Sequence, residues 1–135
     1  MPRPKFPHFT KDEAEVLEAF MKQYPNVQKW EFDVRLKSKK AEGIKFENEM
    51  MKLFWEKATA KRIDAVAHLT NEIWLIEVKR YMLSSGIGQL LVYSFMYNEQ
   101  FKPKKYVKLW LIAKYPDPDV IEVCKKLGIK TWSMY

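Results

Sequence analysis

Cysteine is almost missing from this sequence, with Cys124 the single example in 135 residues. One thiol excludes an internal disulfide and any cysteine-rich zinc site, and it suits a reducing compartment in which Cys124 simply packs in a helix. Histidine is scarce too. His8 and His68 stand far apart, neither has ligand-like neighbours, and no Ser/His/Asp arrangement exists. Four glycines do not compose a phosphate-binding loop, and there is no internal repeat. No apolar run reaches the roughly 18 residues a membrane span needs. The opening MPRPKFPHF has no signal-peptide core. A soluble, intracellular, cytoplasmic protein without a membrane partner is the expectation.

What the chain does have is apolar surface and positive charge. Hydrophobic residues make up 47% and aromatic residues 15%, enough for a single domain over 1–135 to bury a core. Lysine and arginine number 24 against 17 acidic residues, a formal charge of +7 that attracts polyanions over long range. DNA, with RNA as the alternative, is the natural partner. Lysine-rich surfaces also serve solubility alone, which is the plainer reading of the same charge.

Residues 1–9 carry three prolines and no apolar period, so they read as an extended arm. Thr10 and Glu13 form a T-x-x-E capping box before Val16, Leu17, Phe20, Met21 and Tyr24, which recur at helical spacing until Pro25. Trp30, Phe32, Val34 and Leu36 alternate, the period of a strand over 27–36 with one buried face. Lys37 to Lys40 form a solvated basic run that opens an insertion over 37–60 with some helix. Its Phe46, Phe54 and Trp55 suit a core or a subunit contact, with base stacking as the sharper alternative.

Two strands follow, Lys61–Leu69 and Glu72–Arg80, around a Thr70-Asn71 turn. Both are apolar at nearly every position, as central strands covered on both sides are. A helix from Ser84 through about Asn98, a strand over Tyr106–Ala113, a helix capped by Asp117-Pro118 and stopped by Gly128, and a last strand over Ile129–Tyr135 complete the chain. The order predicts an α/β (α+β) fold, a mixed sheet flanked by helices.

The Thr70-Asn71 turn sets Asp64 opposite Glu77. Facing carboxylates about 4.5–5.5 Å apart repel unless something compensates them, and a divalent cation does so. Alternation puts Lys79 on the face of Glu77 with Arg62 opposite it, so four charged side chains are expected at one end of one face. The other face, with Ile63, Ala65, Ala67, Trp74, Ile76 and Val78, is expected to be wholly apolar. Asp64 and Glu77, helped by the Val78 carbonyl, offer the hard oxygens that Mg²⁺ prefers, and Lys79 could orient a water or stabilise developing negative charge. Gln89 and Tyr93, one helical turn apart, can both hydrogen-bond phosphate or a base.

Arg62-Ile63-Asp64, the strand ending Ile76-Glu77-Val78-Lys79, and Gln89-x-x-x-Tyr93 resemble the PD-(D/E)xK nuclease superfamily, in particular its RecB-like and CRISPR-associated exonuclease branches. The resemblance covers roughly 10–113 and departs from the full signature in having no proline before Asp64. It implies a restriction-endonuclease-like αβββαβ core, here with a C-terminal α-β extension, together with Mg²⁺ or Mn²⁺ dependence and hydrolysis of DNA. Many members carry an acidic residue on the first helix. Glu13 is the choice here, with Glu15, Glu18 and Glu47 open, and capping is its plainer role. Arg62, Gln89 and Tyr93 are the candidate nucleic-acid contacts. A nucleic-acid-binding protein that keeps the fold without catalysis is the second function class. So small a domain has little surface to wrap a substrate, which leaves room for a homodimer.

Overall fold

A computed structural model describes residues 8–37 and 43–135. Most of the arm at 1–9, and positions 38–40 of the basic run, therefore lie outside the described residues. The elements are α1 (Lys11–Gln23), β1 (Lys29–Leu36), α2 (Glu49–Thr59), β2 (Lys61–His68), β3 (Glu72–Tyr81), α3 (Ser84–Phe101), β4 (Tyr106–Tyr115), α4 (Pro118–Leu127) and β5 (Lys130–Ser133). The five strands form one mixed sheet in the order β1-β2-β3-β4-β5. The first three run antiparallel to their neighbours, and β4 and β5 extend the sheet in parallel from β3. This is the predicted mixed α/β architecture, an αβββαβ arrangement with an α-β extension.

Helix boundaries follow local chemistry. At α1, Thr10 accepts from the Glu13 N–H at 3.2 Å while the Glu13 carboxylate accepts from the Thr10 N–H at 2.9 Å, so two otherwise orphaned donors are satisfied. Asp117 caps α4 at two N–H groups, and Gly128 closes it with φ +74°, a conformation glycine adopts without strain.

Two helical layers cover the sheet. On one face α1 sets Val16, Leu17 and Phe20 against Ala65, Ala67, Trp74, Ile76, Val78, Trp110 and Ile112. On the other, α3 and α4 pack Ile87, Leu90, Val120 and Cys124 on Leu111 and Ala113, while Tyr97 meets Ile63, Val66 and Leu75. Cys124 is fully buried, as its helical packing role requires.

The edge of the sheet departs from simple alternation. Trp30 and Phe32 pack with the α1 layer, but Val34 and Leu36 pack with the α3 layer. Between them Asp33 has φ +52°, a left-handed conformation that aspartate tolerates better than most residues. β2 makes the same change, with Ala65 in the α1 layer and Ile63 in the α3 layer. The expected single buried face of β1 and the expected place of Ile63 beside Ala65 are thus both corrected. The left-handed Asp33, and the change of layer between Ala65 and Ile63 on the strand paired with it, override the two-residue period.

The insertion carries the expected helix, while the core half of the reading of its aromatics is corrected. α2 buries none of its residues; Phe54 is exposed, and the Phe46 ring lies against Trp55 with centroids 5.6 Å apart. These aromatics are not part of the core. No helix among the described residues is long and apolar enough to cross a membrane.

Candidate active site

The β2/β3 ladder keeps the register that sets Asp64 across from Glu77, pairing Ala65 with Ile76, Val66 with Leu75 and Ala67 with Trp74. Beyond Ala65 the strands part. β2 stays with β1 as far as Lys61, and β3 stays with β4 as far as Tyr81. Asp64 and Glu77 stand at the mouth of the resulting gap. The Asp64 carboxylate accepts the Val78 N–H at 2.8 Å, filling the place of a ladder partner.

Glu77 is the buried charged residue of the core, 3% exposed. Its carboxyl stands close enough to that of Asp64 for each to shift the other's titration. Burial, then the contact and the charge of Asp64, push Glu77 up to about 10; burial likewise raises Asp64, against the hydrogen bonds from Glu77 and Val78. Glu77 Oε2 is buried with no hydrogen-bond partner. Such an orphaned oxygen costs free energy unless a cation or donor reaches it.

The remaining candidates converge on this pair to different degrees. The Lys79 ammonium lowers the pKa of both carboxyls and the Glu13 carboxylate raises both, so each lies within electrostatic range. Glu13 is at the same time held by its capping box. On α3, Gln89 Nε2 donates to the Tyr93 hydroxyl at 3.5 Å, and Gln89 Oε1 is buried without a partner. Burial raises the Tyr93 pKa against the hydrogen bond from Gln89, and Glu77 and Asp64 raise it further, so the phenol lies within electrostatic range of the pair. Gly86 lets α3 come this close, since a Cβ there would lie 2.5 Å from Leu111 Cδ1.

Arg62 is the exception. It has no ladder partner on β3; it pairs with Arg35 on β1 and donates to His8 Nε2 at 3.2 Å, ahead of α1. The change of face at Asp64 turns it from the position opposite Lys79 to the other side of the sheet. Its expected membership of the four-charge cluster is corrected, while His8 gains a partner that sequence gave no hint of. His68, by contrast, pairs with Glu31 on the neighbouring strand.

Sequence reasoning also passed over Tyr81, Tyr115 and Tyr135. Tyr81 and Tyr115 are register partners, and the three rings stack in a row beside the site, with centroids 5.4 and 5.5 Å apart. Only the parallel register of β3, β4 and β5 brings them together, and no short-range signal encodes it.

Among the described residues, no group of three or more His, Cys, Asp and Glu side chains is arranged to hold a metal ion. Mg²⁺ commonly takes only one or two carboxylates and keeps waters or phosphate oxygens for the rest. Two facing carboxyls with an unpartnered oxygen fit that demand.

No protein-family model and no curated protein matches the chain. Two solved structures share its fold. A protein of unknown function, AF1548, superposes with TM-score 0.51 at 12% identity over 87% of this chain and 55% of its own. An EndoMS–dsDNA2 complex superposes with TM-score 0.50 at 15% identity over 96% of this chain and 48% of its own. The chain therefore spans about half the length of these neighbours, and at such identities the likeness is one of fold.

Proposed function

We propose that this chain is a metal-dependent nuclease of the PD-(D/E)xK type that hydrolyses phosphodiester bonds in DNA, with Mg²⁺ or Mn²⁺ as cofactor. The observation that carries the reading is the Asp64–Glu77 pair, facing across the hairpin register with Glu77 buried and its Oε2 without a partner, at the point where β2 and β3 separate. A protein that only bound nucleic acid would have no use for a buried carboxyl with an unpartnered oxygen facing a second carboxyl. A neighbour of the same fold bound to double-stranded DNA agrees with DNA as the polymer.

Asp64 and Glu77 would hold the ion, with the Val78 carbonyl as a further oxygen. When bound, it would polarise the scissile phosphate and lower the pKa of a coordinated water. Lys79, two residues past Glu77 on the same strand face, carries a fixed positive charge to the reacting phosphate, where it orients the attacking water or stabilises the growing negative charge. Gln89 and Tyr93 present an amide and a phenol from α3 toward the same point, suited to hydrogen-bonding a phosphate oxygen or a base. Glu13 contributes negative charge from α1 and can turn inward only by releasing its cap. Arg62, on the far side near His8, suits a phosphate outside the reacting position.

The test is incubation of the purified protein with labelled linear and circular DNA in Mg²⁺ or Mn²⁺, and in EDTA. Cleavage with the metals and none with EDTA is expected, and attack on the circle would mark an endonuclease. Absence of cleavage of either substrate with both metals would overturn the reading.

A further inference from the structure

Three tyrosines lie side by side at the carboxyl ends of the parallel strands. Tyr81 and Tyr115 end β3 and β4 as register partners, and the Tyr135 N–H donates to the Lys114 carbonyl, which seats its ring beside Tyr115. The Tyr81 and Tyr115 rings are 24° from parallel with centroids 5.4 Å apart; those of Tyr115 and Tyr135 are 17° from parallel at 5.5 Å. All three are exposed, by 51%, 36% and 70% in that order. Strand alternation puts Tyr81 on the face of Glu77 and Lys79, about 7 Å beyond the lysine.

Cross-strand pairing explains why the rings touch each other. It does not explain why the ends of the row stay in water. Because the sheet runs β2-β3-β4-β5, Tyr81 ends the row on the β2 side and Tyr135 ends it on the other. The Arg80 guanidinium, ion-paired with Asp12 at 3.1 Å, sits over the Tyr81 ring 5.2 Å from its centroid, and Lys79 precedes it. A base at this end would stack against the ring with the guanidinium at its edge. Aromatic faces flanked by cations, on a chain of net charge +7, suit a polyanion with unstacked bases.

We propose that Tyr81, Tyr115 and Tyr135 form a stacking platform for the unpaired bases of single-stranded DNA, next to the Asp64–Glu77 pair. A base extends the row at the Tyr81 end, which brings the adjoining phosphate toward Lys79 and the carboxyls. The placement beside a reacting phosphate rests on the nuclease reading, whereas stacking itself does not.

Binding is measured by fluorescence anisotropy in EDTA, where no cleavage occurs, with labelled oligothymidylate and with an abasic strand of the same length and charge. The wild type is expected to bind the base-bearing strand about tenfold more tightly or better. Tyr81→Leu and Tyr135→Leu should each lose most of that preference while binding the abasic strand as the wild type does. Tyr81→Phe, which keeps the ring, should retain it. Equal binding of the two strands by the wild type, or equal weakening of both strands in the Leu variants, would overturn the platform. Metal-dependent cleavage by the wild type, assayed separately, would then leave the nuclease reading standing. The reverse pair of results would remove the nuclease and keep the platform.

Discussion

At the scale of single residues, Glu77 stands out among the described residues as a charged group buried in the core. Its folded pKa is raised above the ordinary 4.5 to about 10, so between those values the folded chain keeps a proton that the unfolded chain has lost. The linkage sign follows: the stabilisation is complete below the lower value and is lost as pH rises toward the upper one. In EDTA, melting temperature should therefore fall from about pH 6 to about pH 9, and Glu77→Gln should flatten that slope. A wild-type profile that is flat or rises would contradict the proton held on Glu77. Titration calorimetry with Mn²⁺ adds a second check, since binding at the pair must displace that proton and should strengthen as pH rises. Lys79 makes the complementary case. Lys79→Ala should bind Mn²⁺ and DNA nearly as the wild type does yet cleave on the order of 10²–10⁴-fold more slowly. If the lysine were only an ion-pair partner, its loss would lower melting temperature and reduce activity merely in proportion to unfolding.

Whole elements carry the site, and two substitutions test how. Thr10→Ala removes one half of the α1 capping box and should cost about 1 kcal/mol in thermal or chemical unfolding. Gly86→Ala would press a methyl group on Leu111, which is fully buried. It should cost on the order of 1 kcal/mol and, by lifting α3, reduce cleavage more than it reduces DNA binding. A Gly86→Ala protein with unchanged cleavage would show that close seating of α3 does not matter to the site. The same elements show where sequence is informative. The Thr10–Glu13 box, the Asp117 cap, the Gly128 stop and the Thr70-Asn71 turn are encoded within a few residues, and each was legible. The turn also fixed the β2/β3 register, and with it the facing of Asp64 and Glu77. Positions decided by tertiary context were not legible. The left-handed Asp33 and the change of face past Asp64 lie where β2 leaves β3 and stays with β1, a matter of pairing between strands. They moved Arg62 and Ile63 from their expected faces. Phe54 on α2 shows the same limit from the other side, since an apolar residue on a helix says nothing of whether another element will cover it.

Across the whole molecule, the excess of positive charge should govern association. Affinity for DNA should fall steeply between low and moderate salt, because each phosphate neutralised by lysine or arginine releases a counterion. A gel-shift series with no salt dependence would remove nucleic acid as the main partner. The central claim is that Asp64 and Glu77 together make the chain a metal-dependent nuclease. Single-turnover cleavage of labelled DNA in Mn²⁺ by the wild type and by the Asp64→Asn, Glu77→Gln double variant tests it most directly, because both amides keep the shape of the site and remove its charge. The account predicts cleavage by the wild type and none by a folded double variant that still binds DNA; cleavage by that variant at the wild-type rate would contradict it.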